Sequence, residues 1–388
     1  MTREQTRLPP NKRSSSGFSL IEIMVGLVIG LLAVIVVMQV WSSSEGSKRN
    51  ITGGNDAQMN GNIALTSLER DVRQAGYGFT SYLLLGCSLA YTTSGDGANV
   101  TLSGLAPVTV NSSLIPAGDA NSDTVLVAYG NSSGSAEGDA LTSASTSSAY
   151  TVSTGSAFTV GDRVIAQAAT RPSPCSLKLG KVTAITGAVL TVSNAVSGLA
   201  VKSVVFDMGP SLVIRAYAVR NGQLTVCDYT ANNCGSTNYT NTVDNTVWVP
   251  VGSNIVALRA QYGRDTNNVG TSAMTGVVST YDQVTPGSPS DTSGLAVYCG
   301  WNRVLALRLA LLARNPQVSK TIVTANTPTW DGSSTSASAP TNPTATTFDL
   351  SGDSNWSYYR YKVIGTTVPL RNFLWQGSQP SYQGGGSC

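Results

Sequence analysis

The sequence predicts an α+β protein: a long N-terminal helix, half membrane-spanning and half amphipathic, packs on an antiparallel β-rich domain with a large β insertion. Residues 23–40 carry no formal charge and are nearly all apolar. Apolar residues then recur at helical spacing through Leu65, Leu68, Val72 and Ala75. Further along, short β-branched segments alternate with Gly, Ser, Asn and Pro, which is typical of strands and turns.

The apolar run is long enough to cross a membrane. As a helix, residues 23–40 would span about 27 Å, close to the thickness of a bilayer core. Four basic residues against Glu4 in residues 1–17 account for the formal net charge of +3. The positive-inside rule therefore keeps the N-terminus in the cytoplasm and sends the remaining chain across the membrane.

The residues in front of the apolar run carry the most specific motif. An ordinary secretory signal is cut at small residues after the apolar run, where this chain reads VWSSSEGSK, and a late cut there stays an alternative. The more informative residues precede the run: basic residues, SSSG and FSLIE. This arrangement resembles the type IV prepilin family. The resemblance implies cleavage by a prepilin peptidase between Gly17 and Phe18, N-methylation of Phe18, and an assembly role for Glu22 at the fifth mature position.

The predicted assembly role of Glu22 has an independent physical basis. A carboxylate at the edge of a membrane helix costs several kcal/mol unless it is paired. Cleavage would create an ammonium on Phe18, one helical turn from Glu22, and this group is mostly charged at neutral pH. The resemblance implies that the two groups meet between neighbouring subunits; the alternative is that Glu22 reaches the lipid headgroups. Gly26 and Gly30 are spaced for close helix packing.

The predicted segments follow from these motifs. Residues 1–17 are a cleaved leader, and the membrane-spanning and amphipathic parts of the helix cover 18–41 and 42–78. Glycines 46, 53, 54 and 61 predict a kink or an unwound stretch between residues 46 and 61, and Gly76 and Gly78 predict the end of the helix.

Strand patterns dominate the rest of the chain. The clearest predicted strands are 124–130, 188–193, 203–209 and 211–220, and Asn221–Gly222 predicts a tight hairpin after the last of them. Leucines at alternate positions make 302–314 a core strand, with a helix as the competing interpretation. Residues 160–193 are interpreted as a small inserted β-barrel.

Four later segments resemble those of PilW-type minor pilins: 67–79, 254–267, the LALLAR strand and 358–375. The resemblance implies a pilin-like domain over 79–375, with a β insertion at about 81–200 and a flexible tail at 376–388. It also implies partners: other minor pilins, the major pilin, an inner-membrane assembly platform and a tip adhesin. The expected location is the inner membrane, single-pass with a periplasmic C-terminal domain, and then the pilus fibre at the cell surface.

Six widely spaced cysteines behind a membrane segment predict disulfides in an oxidising compartment. Cys227 and Cys234 bracket a short polar loop and are the favoured pair. The pairing among the others stays open, as does the alternative that some are free and buried; they are Cys87, Cys175, Cys299 and Cys388.

Several chemistries find no support in the sequence. There is no histidine, which removes the commonest general base and the commonest metal ligand. There is no phosphate-binding glycine motif and no basic run beyond the leader, so we expect no enzyme activity, cofactor, metal or nucleic-acid binding.

The run from Asp265 to Gly270 lacks ligands of a calcium loop and is interpreted as a polar turn. Five late aromatic residues are interpreted as packing rather than a ligand platform: Trp356, Tyr358, Tyr359, Tyr361 and Trp375.

The favoured hypothesis is a non-catalytic minor pilin that promotes pilus assembly or initiation and lies at or near the tip. A pseudopilin of a type II secretion system shares the whole N-terminal argument and is the first alternative. The second alternative is a pilus-borne adhesive module whose insertion recognises a surface or a glycan.

Overall fold

A computed structural model describes residues 17–79, 81–134, 137–239, 246–267, 269, 274–330 and 348–372. The chain divides into two compact units, residues 1–52 and 53–388. Helix α1 (Leu20–Gln74) contributes its first part to the first unit and residues 53–74 to the second. The predicted α+β class is confirmed, because this long helix is followed by a β-rich domain with antiparallel sheets.

The described residues of the second unit include a short helix, α2 (Val297–Asn302), and seventeen strands. In chain order the strands are β1 (Ser88–Thr92), β2 (Asn99–Leu102), β3 (Val108–Val110), β4 (Val125–Tyr129), β5 (Asp139–Ala140), β6 (Ala149–Thr151), β7 (Arg163–Gln167), β8 (Ser176–Thr186), β9 (Val189–Ser193), β10 (Val204–Gly209), β11 (Val213–Arg220), β12 (Gln223–Asp228), β13 (Val249–Ser253), β14 (Ile255–Arg264), β15 (Thr280–Asp282), β16 (Val304–Arg314) and β17 (Tyr361–Pro369). The four strands predicted between residues 124 and 220 correspond to β4, β9, β10 and β11.

The strands form three sheets. One has eight strands and contains β2, β1, β8, β7, β10 and β5 in that order, with β9 and β6 branching from β8. A five-stranded sheet has the order β13, β12, β11, β4, β3, and a four-stranded sheet has the order β15, β14, β16, β17. Residues 304–314 are therefore a central strand, as their alternating leucines predicted, with Leu307, Leu309 and Leu311 buried in the core.

Part of the eight-stranded sheet closes on itself. Strands β5, β10, β7, β8, β9 and β6 are joined pairwise, and a bridge between Leu141 and Val152 connects the two ends of this series. The ring encloses its own apolar cluster, which includes Tyr150, Val182 and Leu190. The stretch 160–193, predicted as a small barrel, thus belongs to a closed ring of strands that extends over residues 139–209.

The part of α1 in the second unit packs one stripe on the core. The stripe contains Ala57, Ala64, Leu65, Leu68 and Val72, and Ala75 continues it just after the helix ends; all six are buried. Of the two alternatives predicted for residues 46–61, a kink or an unwound stretch, the unwound stretch is wrong, because α1 is helical throughout that range. Two of the glycines in this range lie where α1 closely approaches other side chains of the second unit. A Cβ on Gly53 would lie 2.2 Å from Asn315, and a Cβ on Gly61 would lie 2.3 Å from Ile364.

Glycine and asparagine supply the left-handed conformations that the turns need. After α1 ends at Gln74, Gly76 and Gly78 have φ of 81° and 89°, which L-residues other than glycine rarely adopt. Asn221 and Gly222 have φ of 50° and 68°, and they connect β11 to β12 as the predicted hairpin.

Two disulfides join described residues. Cys227 is bonded to Cys234, the pair that the short loop favoured, and Cys87 is bonded to Cys175 across 88 residues. Cys87 and Cys175 lie immediately before β1 and β8, whose first residues pair in parallel, so this bond reinforces that contact. Cys299 is also disulfide-bonded, and Cys388 lies outside the described residues.

Candidate processing and assembly site

The residues of the predicted cleavage motif lie at the N-terminal end of α1. Gly17, Phe18 and Ser19 precede the helix and are exposed, and Phe18 is 80% accessible. Residues 1–16 of the predicted leader lie outside the described residues. The peptide bond between Gly17 and Phe18 is therefore in an exposed, non-helical segment, which is the kind of segment that a peptidase can bind in extended form.

Glu22 lies in the first turn of α1. Its backbone N–H donates to the carbonyl of Ser19 at 2.9 Å, and that of Ile23 donates to the same carbonyl at 3.2 Å. A carboxylate in the first turn is favoured by the helix dipole. Sequence reasoning missed a second local feature: Ser19 and Glu22 have the S-x-x-E spacing of a capping box, which marks the start of a helix.

The apolar part of α1 is exposed on all sides in the first unit. The helix is the one segment of the described chain that is long and apolar enough to cross a membrane, with a mean hydropathy of 3.0 in its most apolar window. Its described side chains from Leu20 to Gly46 are all exposed, as expected of a helix that contacts lipid or other helices. Gly26 and Gly30 have open space where a Cβ would stand, so their surface is free for another helix to approach.

A buried carboxylate fixes α1 on the five-stranded sheet within the second unit. Asp71 accepts hydrogen bonds from the Tyr217 hydroxyl at 2.6 Å and the Tyr129 hydroxyl at 2.9 Å. It also forms an ion pair with Arg215, at 3.0 Å. Burial, and next the Asp71 carboxylate, raise the pKa of Tyr129 from 10.0 to about 12.

Sequence reasoning missed this cluster. Asp71 is three residues after Leu68 and one before Val72, so it lies inside the apolar stripe of α1, where a charge needs a partner. That position was the available signal. Its three partners are 58 to 146 residues away in sequence, and nothing local identifies them.

Of the residues considered for other chemistry, Asp265 and Tyr359 make contacts within the domain. The Asp265 carboxylate accepts the backbone N–H groups of Asn267 and Gly276, at 3.0 and 2.8 Å, as expected of a polar turn. Tyr359 stacks against the guanidinium of Arg314, whose carbon lies 4.4 Å from the ring centre. Trp356 and Tyr358 belong to a short 3₁₀ turn, and Trp375 lies outside the described residues.

Comparison with family models identifies the class of protein that the N-terminal segment resembles. Residues 12–38 match the prokaryotic N-terminal methylation motif, so the chain has the N-terminus of a prepilin-like protein. A second match lies in the β-rich domain: residues 216–372 match the family described as type IV pilus-assembly protein W. In these two parts the chain is similar to PilW-type, prepilin-like proteins of type IV pili. No curated protein and no solved structure gave a significant match.

The second match covers three of the four segments that resembled PilW-type pilins. Residues 254–267 and the LALLAR strand lie inside it, as does 358–375 up to residue 372. The barrel at 139–209 and the segment 67–79 lie outside both matches.

Proposed function

We propose that this protein is a minor pilin that promotes the assembly or initiation of a type IV pilus and is located at or near the pilus tip. The observation that supports this most strongly is the combination of the two family matches in one chain. One match covers the predicted cleavage motif and the apolar part of α1, and the other extends from residue 216 in β11 through β17. A role in assembly requires both a segment that enters the filament and a domain that contacts other subunits.

The proposed mechanism depends on α1 and does not involve catalysis. The peptidase removes residues 1–17, and the new ammonium on Phe18 becomes the counter-ion for Glu22 of a neighbouring subunit. Because both charges are desolvated when helices pack in the filament core, an unpaired subunit is disfavoured and the register along the filament is set. Gly26 and Gly30 let the helices approach closely.

The proposed location follows the direction of the membrane segment. The N-terminus stays in the cytoplasm, the C-terminal domain is periplasmic, and the subunit leaves the inner membrane when it is added to the fibre. The proposed partners are the prepilin peptidase, the other minor pilins, the major pilin, the inner-membrane assembly platform and a tip adhesin. The match to a pilus-assembly family favours this role over that of a type II secretion pseudopilin.

The decisive experiment is deletion of the gene, with complementation by the intact gene. We expect few or no surface pili by electron microscopy and loss of twitching motility, both restored by complementation. Normal piliation together with blocked secretion of folded proteins would contradict the proposal and favour a pseudopilin.

Processing is tested separately by mass spectrometry of the mature protein purified from membranes. We expect a polypeptide that begins at N-methylated Phe18. A mature N-terminus at any other residue would refute the proposed processing and, with it, the pairing of Phe18 and Glu22.

A further inference from the structure

The outer wall of the inserted barrel carries two cations side by side. Arg163 on β7 is the direct cross-strand partner of Lys181 on β8. Their neighbours Val164 and Val182 point into the barrel, whereas Arg163 and Lys181 lie on its outer surface, where Lys181 is exposed and Arg163 partly so. Like charges directly opposite each other on a sheet repel, so this pair is unfavourable in the absence of an anion.

The described part of the protein supplies no counter-ion for this pair. Among the ion pairs of the described residues, none involves Arg163 or Lys181. The three carboxylates of residues 139–209 are occupied elsewhere. Asp139 accepts the backbone N–H of Thr154, Asp162 that of Thr159 and Asp207 that of Gly209, at 2.5 to 2.8 Å.

Hydroxyl groups lie next to the two cations on the same outer surface of the barrel. Ser193 on β9 is the cross-strand partner of Lys181, so Arg163, Lys181 and Ser193 form one row across three strands. Thr183 and Thr191 follow beyond this row and are exposed. The surface thus combines two positive charges with neutral hydrogen-bonding groups.

We propose that this face of the barrel, defined by Arg163, Lys181 and Ser193, binds the anionic groups of an acidic polysaccharide. Guanidinium and ammonium groups bind sulfate and carboxylate through charge-assisted hydrogen bonds, and a bound anion removes the repulsion between them. The inference does not depend on the assembly role, because the barrel lies outside both family matches.

The surface fits a polysaccharide better than a nucleic acid or a lipid surface. The three aromatic side chains of the barrel, Tyr150, Phe158 and Phe206, are buried and cannot stack on bases. Duplex DNA requires a longer series of phosphate contacts than two adjacent cations provide. The hydroxyl groups of Ser193, Thr183 and Thr191 can form hydrogen bonds with sugar hydroxyls. Serine and threonine side chains are not the apolar kind that inserts into a membrane.

The test measures binding of the purified full chain, in detergent micelles, to immobilised polysaccharides at low salt. The probes are heparin, which is sulfated, polygalacturonate, which carries only carboxylates, and neutral dextran. We expect binding to at least one anionic probe and none to dextran, and which probe binds identifies the preferred anion. The double variant Arg163→Gln/Lys181→Gln should bind about tenfold more weakly, because two charge-assisted contacts are lost.

The chain offers a matched control of equal charge change. Lys178→Gln/Lys202→Gln also removes two exposed positive charges from the barrel, but Lys178 is on the opposite face of β8 and Lys202 is in a turn. This control should change the affinity by less than about twofold. An equal loss in both double variants would show a non-specific effect of net charge and would refute the proposed site.

A second measurement checks that the variant is folded and that the repulsion is real. The thermal midpoint of Arg163→Gln/Lys181→Gln should equal or exceed that of the wild type, because a like-charge pair has been removed.

Absence of binding to both anionic polysaccharides would overturn the proposal. So would binding only to anionic phospholipid vesicles that is lost in the same variant, since the surface would then recognise lipid. Pilus number in cells that express this variant should be unchanged, which separates failure of this site from failure of the proposed assembly role.

Discussion

Asp71 shows how a single residue can hold the C-terminal part of α1 on the five-stranded sheet of the second unit. A buried carboxylate is costly when it is alone, but here it has two phenol donors and one guanidinium within 3.1 Å. The donors come from β4 and β11, adjacent strands of the five-stranded sheet. The cluster thus fixes both the position and the rotation of the helix on the sheet.

We expect Asp71→Asn to lower the free energy of unfolding of the soluble domain by about 3 kcal/mol, because it leaves Arg215 without its partner and weakens two buried hydrogen bonds. Urea unfolding of the full chain in detergent, followed by tryptophan fluorescence, measures the change. Glu69→Gln is the control, since Glu69 pairs with the exposed Arg73 on the same helix and the loss should stay below about 0.5 kcal/mol. Equal effects of the two variants would contradict the importance of the buried cluster.

The same cluster predicts a loss of stability at alkaline pH. The pKa of Tyr129 is raised from 10.0 to about 12 in the folded protein. A raised folded-state pKa means that the contribution to stability is complete below pH 10 and is lost as the pH rises from 10 to 12. Urea midpoints measured across this range should fall, and Tyr129→Phe should flatten the fall. A pH-independent midpoint up to pH 12 would contradict this.

At the residue scale, the sequence predicts sites that are contiguous in the chain. Gly17, Phe18 and Glu22 are recognisable because their spacing and the following apolar run are all local. The Asp71 cluster is not recognisable in this way, because Tyr129, Arg215 and Tyr217 join it only when β4 and β11 pair.

At the scale of elements, the glycines of α1 illustrate why helix propensity is an incomplete guide. Glycine weakens an isolated helix, which is why an interruption was predicted. Within the second unit, however, Gly53 and Gly61 lie where the helix contacts Asn315 and Ile364, and Gly54 faces open space. Tertiary packing stabilises the helix and uses two of its glycines for close approach.

Two substitutions in α1 should therefore have opposite effects. Gly54→Ala should raise the free energy of unfolding by about 0.5 to 1 kcal/mol, because helix propensity improves and nothing lies within 4 Å of the new Cβ. Gly61→Ala should lower it by about 1 kcal/mol, because the new Cβ would stand 2.3 Å from Ile364 and 3.2 Å from Ala313. Urea unfolding measures both, and stabilisation by both substitutions would show that the close contact is unimportant.

The barrel shows a further limit of prediction at this scale. Alternation of apolar and polar residues predicted strands between 160 and 193, and the turn residues predicted where they end. Closure of the ring depends on the pairing of β5 with β10 and on the bridge between Leu141 and Val152. The pairing of β5 with β10 joins residues 64 apart in sequence, such as Ala140 and Val204, and periodicity carries no information about which strands pair.

At the scale of the whole molecule, the proposed role depends on Glu22 more than on any residue of the soluble domain. Glu22→Ala should still allow cleavage after Gly17, since the scissile bond is in the exposed segment before the helix. It should reduce incorporation into sheared pili by about tenfold or more, because the charge pair with a neighbouring Phe18 is lost. Immunoblots of pilus and membrane fractions measure incorporation, and mass spectrometry checks cleavage.

A conservative variant separates charge from shape. Glu22→Gln keeps the size of the side chain and removes its charge, so it should resemble Glu22→Ala if ion pairing determines incorporation. Wild-type incorporation of Glu22→Gln would show that the carboxylate acts by hydrogen bonding or position alone, and the proposed pairing would be wrong.

The sequence by itself determined which class of protein this chain resembles: the predicted cleavage motif, the membrane-length helix and the β-rich remainder are all patterns of neighbouring residues. Tertiary structure alone decided how α1 is held on the sheet, why its glycines are tolerated, that the insertion closes into a barrel, and that Arg163 stands opposite Lys181. The physical reason is the range of the interactions. Helix propensity, hydropathy and processing motifs act over a few residues, whereas strand pairing and burial join residues that the chain keeps far apart.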